Sequence, residues 1–400
     1  MNSESILVIG VNSRPIAASA KALGLKVNVI DYWGDQDLRK IANDILVVRD
    51  FEDKKENILG KNVQFSDILF YLTKKMIEKH PEINTALIGS GLDDRYDIWQ
   101  NISKLVWVEG NEPIKIKRAR DRINLNKKVG QFGLKVPKSK IVYKPSQIID
   151  FGKENGYPLV LRASWASGGG RGILRINSEE NINASWKFLL GDEKKADMVV
   201  QEYIPGKDIS ITSLNNEEEV HIISINEQLI GLKQCNAPTP FAYCGNIIPI
   251  DLDNKIKNKI IKSTKDLLKF LKLRGINGVD LKIYGGNIYF MEVNPRFPGT
   301  MELLELLSGF NMVKLHIDSC KGKIIRPQFP KNKYGIKIIP YAKNDFKVNK
   351  SFKKPIFFDI PSLGTIIKKG DPILTIQILG DSREKLFDKT INIVENLYLY

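Results

Sequence analysis

The chain is poor in the residues that build the commonest reactive and metal-holding sites. Its 400 residues include only three cysteines, Cys235, Cys244 and Cys320, with no CxxC pairing. A disulfide scaffold and a thiolate zinc site are therefore not expected. The three histidines, His80, His221 and His316, are scattered, so no histidine triad or histidine metal cluster is expected either, and each reads as an ordinary surface or core residue. No apolar run approaches the roughly 20 residues of a membrane span. The start, MNSESILVIGVNS, lacks a cationic n-region, so a soluble cytoplasmic protein without a membrane partner is expected. A GxGxxG fingerprint is absent as well: the turn after the first apolar run reads Gly10-Val-Asn-Ser-Arg-Pro15.

What is present is length, apolar content and positive charge. At 42% hydrophobic residues the chain can bury a large core and divide into several domains. The net charge of +15 raises a nucleic-acid reading. The lysines are spread along the whole chain, however, and no interleaved aromatic and basic stripe appears. Clusters such as Lys115-Ile-Lys-Arg-Ala-Arg-Asp-Arg122 fit a solvated helix face or an anion site, so nucleic acid is not the expected partner.

Apolar runs at 5–11, 26–31, 45–48 and 85–89, with helices at 15–23 and 65–79 between them, predict a parallel sheet over residues 1–112. Residues 113–197 contain helix, a Val136-Pro137 turn and a strand at 158–162. Next comes Ala163-Ser-Trp-Ala-Ser-Gly-Gly-Gly-Arg-Gly-Ile173, with four glycines in five residues. Between two strands this is a hairpin loop whose amides can wrap phosphate oxygens: Ser167, Gly168, Gly169 and Gly170 are the candidates, with Arg162 and Arg171 adding positive charge. A plain β-turn is the bland alternative.

Residues 198–328 open with Met198-Val-Val-Gln-Glu-Tyr-Ile-Pro-Gly-Lys-Asp208, a strand, a Pro-Gly break and a second strand. The hinge Gln201-Glu202-Tyr203-Ile204 can offer backbone groups to an adenine edge, and Asp208 can accept from ribose hydroxyls, with a charged β-turn as the default alternative. An amphipathic helix is predicted at 254–273. Alternating runs at 276–283 and 288–293 flank Gly285-Gly286-Asn287 and predict a hairpin. A period of two puts Glu292 and Asn294 on one face, and the hairpin can bring Asp280 opposite them. Two carboxylates and an amide oxygen make an oxygen-only site suited to Mg²⁺ that also holds phosphates, with Mn²⁺ as an alternative. Two charges on the solvent side of a hairpin is the competing reading. After Arg326-Pro the composition resets. Short strands near 334–341, 355–360 and 372–379 and a helix at 382–397 predict a small β-rich unit over 329–400.

With phosphate loop, hinge and metal hairpin in this order, the chain resembles the ATP-grasp enzymes, near their biotin carboxylase-like and carboligase-like branches. The match rests on Gly156-Tyr-Pro-Leu-Val-Leu-Arg-Ala-Ser … Gly-Gly-Gly-Arg-Gly-Ile173, on Glu292-x-Asn-Pro-Arg296 and on the spacing of 12 from Asp280 to Glu292. It also rests on Asp359-Ile-Pro-Ser-Leu-Gly … Gly-Asp-Pro-Ile373, which resembles the C-terminal barrel of that branch. The resemblance implies an α/β chain, α+β in its ATP-grasp part. It would have an N-terminal parallel-sheet domain, a two-lobed ATP-grasp fold (lid 113–197, large subdomain 198–328) and a small barrel-like C-terminal unit. Where the family carries a lysine before the glycine loop and another ahead of the lid, this chain has Arg162 and Arg122. Arginine keeps the charge and adds a planar fork.

The resemblance further implies ATP and Mg²⁺, and a substrate carboxylate that becomes an acyl phosphate and then meets an amine. Arg296 would hold the acyl phosphate or substrate carboxylate, with a structural ion pair as the bland alternative. Lys233 and Tyr243-Cys-Gly-Asn246 would face the acceptor. The expected partners are small-molecule carboxylate and amine substrates, with a homodimer allowed. A bicarbonate-activating carboxylase, an ATP-grasp kinase and a non-catalytic nucleotide- or RNA-binding protein remain alternatives.

Overall fold

The computed structural model describes residues 4–60, 63–163, 168–170, 172–191 and 197–398. Strands β1 (Ser5–Ile9), β2 (Lys26–Asp31), β3 (Asp44–Val47), β4 (Thr85–Ile88) and β5 (Trp107–Val108) form an all-parallel sheet in the order β3-β2-β1-β4-β5. Every residue of β1 is buried, as a strand covered on both faces requires. Leu7, Ile9 and Ile30 pack on one side with Leu69, Leu72 and Met76 of helix Phe65–Lys79. Ile6, Val8 and Val29 pack on the other with Ile16, Ala17 and Ala20 of helix Arg14–Ala22. Helix Phe65–Lys79 spans the predicted 65–79 and starts at a reciprocal cap between Gln64 and Asp67.

The second sheet contains β6 (Ser139–Val142), β7 (Leu159–Ala163), β8 (Ile173–Ile176) and β9 (Met198–Glu202), in the order β6-β9-β7-β8. The glycine run thus joins antiparallel neighbours, β7 and β8, as expected. Leu159, Leu161, Met198 and Val200 face a core with Ile148, Phe151 and Leu189. Strand alternation leaves Val160, Arg162, Val199 and Gln201 on the opposite face.

The third sheet is built from β10 (Lys207–Asn216), β11 (Val220–Ile230), β12 (Tyr243–Ile248), β13 (Arg274–Tyr284), β14 (Asn287–Asn294), β15 (Tyr334–Ile338), β17 (Phe357–Phe358) and β19 (Thr375–Gly380). Its order is β14-β13-β10-β11-β12-β15-β19-β17, and all its pairings are antiparallel. The remaining strands, β16 (Phe346–Lys347) and β18 (Ile366–Ile367), pair with each other. Helix Asn254–Leu271, capped by the Asp253 side chain, buries Ile260, Leu267, Leu268 and Leu271 against Ile209, Ile211, Val279 and Leu281. Gly285 and Gly286 both have positive φ (54° and 71°), which suits the two-residue turn joining β13 to β14.

The C-terminal unit differs from its sequence reading. Its strands do not form a separate appended body, because β15 pairs with β12 and carries the large sheet on into β19 and β17. The close β12–β15 approach depends on Gly245, where a Cβ would collide with the Lys337 carbonyl. A composition change after Arg326 is blind to this, since strand pairing is a backbone interaction.

Buried Arg14 ties the N-terminal domain to the rest. Its Nε donates to Asp359 (2.6 Å), and Nη1 and Nη2 each donate to Glu302 (2.5 Å). His316 makes a second tie: Nδ1 accepts from the Ile276 amide (3.0 Å) and Nε2 meets the Glu109 carbonyl (3.0 Å).

Candidate active site

The hairpin register puts Asp280 directly opposite Glu292, and Gly278 opposite Asn294. All three predicted oxygen donors therefore meet at one place on the large sheet. Asn294 Nδ2 donates to Asp280 Oδ2 (2.9 Å), and Gln228 Nε2 reaches from β11 to Asp280 Oδ1 (2.9 Å). Burial, and then the charge on Glu292, push the Asp280 carboxyl up to about 7. Burial would raise Glu292 too, but Arg120, Arg122 and Arg296 outweigh it and hold that carboxyl below its usual range.

Three arginines surround the pair. Arg122 Nη2 lies 2.6 Å from Glu292 Oε2, and Arg120 Nη1 lies 3.4 Å from the same oxygen and 3.0 Å from the Val293 carbonyl. Arg120 also forks onto Asp94 through Nε (2.8 Å) and Nη2 (2.9 Å). Arg296 Nε donates to Asp93 (2.7 Å), and its Nη2 approaches Asn294 Oδ1 (3.5 Å). The ion pair considered as the bland role of Arg296 is thus present, yet it aligns the guanidinium beside the hairpin. Arg122 Nε is buried without a hydrogen-bond partner.

Mg²⁺ fits these residues. Two carboxylates face each other in one register pair, beside an amide oxygen, and their mutual repulsion raises Asp280. A divalent cation there would relieve that repulsion.

The other predicted residues are placed as follows. Arg162 shares the non-core face of the lid sheet with Gln201, and Arg162–Ile173 is the last β7–β8 register pair before the glycine run. Gly170 lies against the loop before β12, where a Cβ would strike the Phe241 carbonyl, so the glycine run is seated on the large sheet there. Gly168 and Gly169 precede it in the same short turn, whereas Ser167 and Arg171 lie outside the described residues. Tyr203 extends from the hinge toward Phe241, with ring centroids 6.5 Å apart, and Arg175 stacks on Tyr203 at 4.2 Å. Ile204 is buried, and the Glu202 carboxylate accepts from the Lys138 amide (3.3 Å). Asp208 is engaged by Lys282 at 2.7 Å, its cross-strand neighbour. Lys233 sits exposed on a short turn between β11 and β12, and among the described residues no hydrogen bond or ion pair links it to the hairpin.

Sequence reasoning missed Arg120, Gln228, Asp93 and Asp94. Arg120 lies in the basic cluster read as a solvated helix face or an anion site, and only the packing of helix Pro113–Arg120 against β14 brings it to Glu292. Gln228 sits mid-strand with no motif around it.

Residues 119–300 match the family model of the ATP-grasp domain. An uncharacterized protein of Methanocaldococcus jannaschii is 27% identical over 381 residues, 92% of this chain and 87% of that one. The carbamoyl phosphate synthase large chain of Clostridium acetobutylicum is 25% identical over 213 residues, 53% of this chain, and the match spans 19% of that larger protein. Among solved structures, biotin carboxylase from Campylobacter jejuni superposes with a TM-score of 0.73 at 16% identity, covering 96% of this chain and 89% of that one. The L-amino acid ligase from Bacillus licheniformis does so with a TM-score of 0.70 at 16% identity, covering 99% and 98%. These structural likenesses establish the fold. No described helix is long and apolar enough to cross a membrane.

Proposed function

We propose that this chain, whose residues 119–300 match the ATP-grasp domain model, is a ligase that activates a substrate carboxylate with ATP and joins it to an amine. The observation that carries this reading is the Asp280–Glu292 register pair with Arg122 and Arg296 beside it. Two of the three similar proteins that carry enzyme names, a carbamoyl phosphate synthase and an L-amino acid ligase, support a synthetic reaction.

In this reading the Arg162 face of the lid and Gly168–Gly170 cover the phosphates, and Gln201–Ile204 meet the adenine. Asp280, Glu292 and Asn294 would hold Mg²⁺, which when bound neutralises phosphate charge during in-line transfer. A substrate carboxylate oxygen attacks the γ-phosphorus, the bond to the β-phosphate oxygen breaks, and ADP leaves. The amine nitrogen then attacks the acyl carbon, loses its proton to solvent, and expels phosphate with the original carboxylate oxygen. Arg296 and Arg122 flank the position where that charge develops, and charge-assisted hydrogen bonds suit them to it.

The test follows the oxygen. A panel of ¹⁸O-carboxylates and amines is incubated with Mg-ATP, and the released phosphate is examined for label. Label in phosphate for one carboxylate–amine pair supports the ligase. ADP release with a stable phosphoester and no free phosphate marks a kinase. Solvent oxygen alone in the phosphate, across the panel, refutes carboxylate activation.

A further inference from the structure

A row of polar residues crosses the large sheet from the metal hairpin to a buried lysine. Asp280 pairs with Ser210, and Ser210 pairs with Asn226. Two residues on, Gln228 pairs with Asn246, Asn246 with Lys337, and Lys337 with Gln377. Register partners point to the same side of a sheet, so all of these share the face of Asp280. Side-chain hydrogen bonds confirm it: Gln228 reaches Asp280 (2.9 Å) and Asn246 Nδ2 reaches Ser210 Oγ (3.3 Å). The opposite face of the same strands is the apolar core with Ile209, Ile211 and Val279.

Lys337 is only 3% exposed. Its ammonium has three donors, yet among the described residues it makes one hydrogen bond, to the Gly299 carbonyl (3.1 Å). Among the described residues no carboxylate lies within 4.0 Å of Nζ. The acids whose charge acts on Lys337 are already engaged: Glu302 holds Arg14 and Gln377, while Asp359 holds Arg14 and Thr375. Gly299 adjoins Tyr243, whose hydroxyl oxygen lies 3.2 Å from where a Gly299 Cβ would stand. That hydroxyl donates to Asn246 Oδ1 and feels the charge of Asp280. Through Gly299, Tyr243 and Asn246, Lys337 is thus linked to the face of the sheet that carries the metal hairpin. Within the same row, Asn226 Oδ1 and Gln377 Oε1 are buried without partners. A buried cation with two idle donors is costly to keep, and a bound anion removes that cost.

We propose that Lys337 is the anion anchor of the substrate pocket, taking a carboxylate or similar oxyanion at the end of the polar row away from Glu292. The proposal rests on the ligase reading only in assigning that anion to the substrate. The competing role is a pure counter-charge for the Glu302 and Asp359 group, which would bind no anion.

The probe is selenate, offered with Mg-ADP so that the nucleotide phosphates fill their own site. Crystals of wild type, K337R and K337M are soaked, and selenium is located by anomalous scattering. Selenate binding in solution is measured in parallel. We expect selenium against Nζ in the wild type, its retention in K337R, and its loss in K337M with affinity down about tenfold or more, the effect of losing one charge-assisted hydrogen bond. Mg-ADP affinity should not change in either variant. No selenium at Nζ in the wild type overturns the anchor, and so does a peak that persists in K337M, which is an adventitious ion only. If K337M does not fold, the wild-type soak and K337R still decide the question. Selenate bound at Lys337 with no ¹⁸O transfer across the panel would leave the anchor standing and remove the ligase reading.

Discussion

Arg122 and Glu292 are 170 residues apart in the chain, and their side chains meet at 2.6 Å. The contact joins the helix Arg122–Val129 to strand β14. It makes Glu292 the point where Arg120 and Arg122 are coupled to the hairpin's oxygen donors. Arg122 reached this position as a lysine substitute expected on phosphate, and its free buried Nε remains available to one.

Replacing Glu292 by glutamine keeps the shape but removes one carboxylate from the facing pair. ADP release with Mg²⁺ should fall by about 10²-fold or more, on the scale of losing one preorganised electrostatic contact. Circular dichroism should show the fold retained. Wild-type turnover in E292Q would exclude Glu292 from the reaction.

Arg162 faces the nucleotide side of the lid sheet in this reading, in one register with Val199 and near Gln201. Arg162→Ala should weaken ATP binding by about 1.5–3 kcal/mol, the range for a hydrogen bond to a charged group. Arg162→Lys should be tolerated. Calorimetric titration with ATP separates the two, and equal affinity for wild type and the alanine variant would remove Arg162 from the phosphate site.

The Arg14–Glu302–Asp359 group is buried and spans three parts of the fold. Arg14→Ala leaves buried carboxylates without their cation and should cost about 3–5 kcal/mol in urea unfolding. Glu82→Gln, which breaks an exposed pair with Lys26, should leave the midpoint unchanged. A similar small effect from both would show that the buried group does not hold the domains together.

Burial lowers the His316 pKa from its usual 6.5 to about 4, and its Nδ1 is already occupied as an acceptor from Ile276. The unfolded chain therefore binds the proton first, and this contribution to stability is full above 6.5 and lost as pH falls toward 4. The full shift corresponds to about 3 kcal/mol. Unfolding free energy should drop between pH 7 and pH 4.5 by less in His316→Asn than in wild type. Equal drops would mean that His316 is not the group responsible.

The sequence alone determined the elements and the donor trio. Alternation in 276–283 and 288–293 with two glycines between them specifies a hairpin, and a period of two then places Asp280, Glu292 and Asn294 on one face. Both are local properties of backbone and side-chain spacing, so they survive without knowledge of the rest of the chain. Tertiary structure alone decided what surrounds the trio. Arg120 came in from a cluster read as a solvated helix face or an anion site, and Gln228 from a strand with no motif around it. Asp208 turned to Lys282 instead of standing free, and Lys233 stayed in solvent. These outcomes depend on which strands pair and which helices pack across more than a hundred residues. That is fixed by the summed burial and hydrogen bonding of the whole fold, and no short window of sequence contains it.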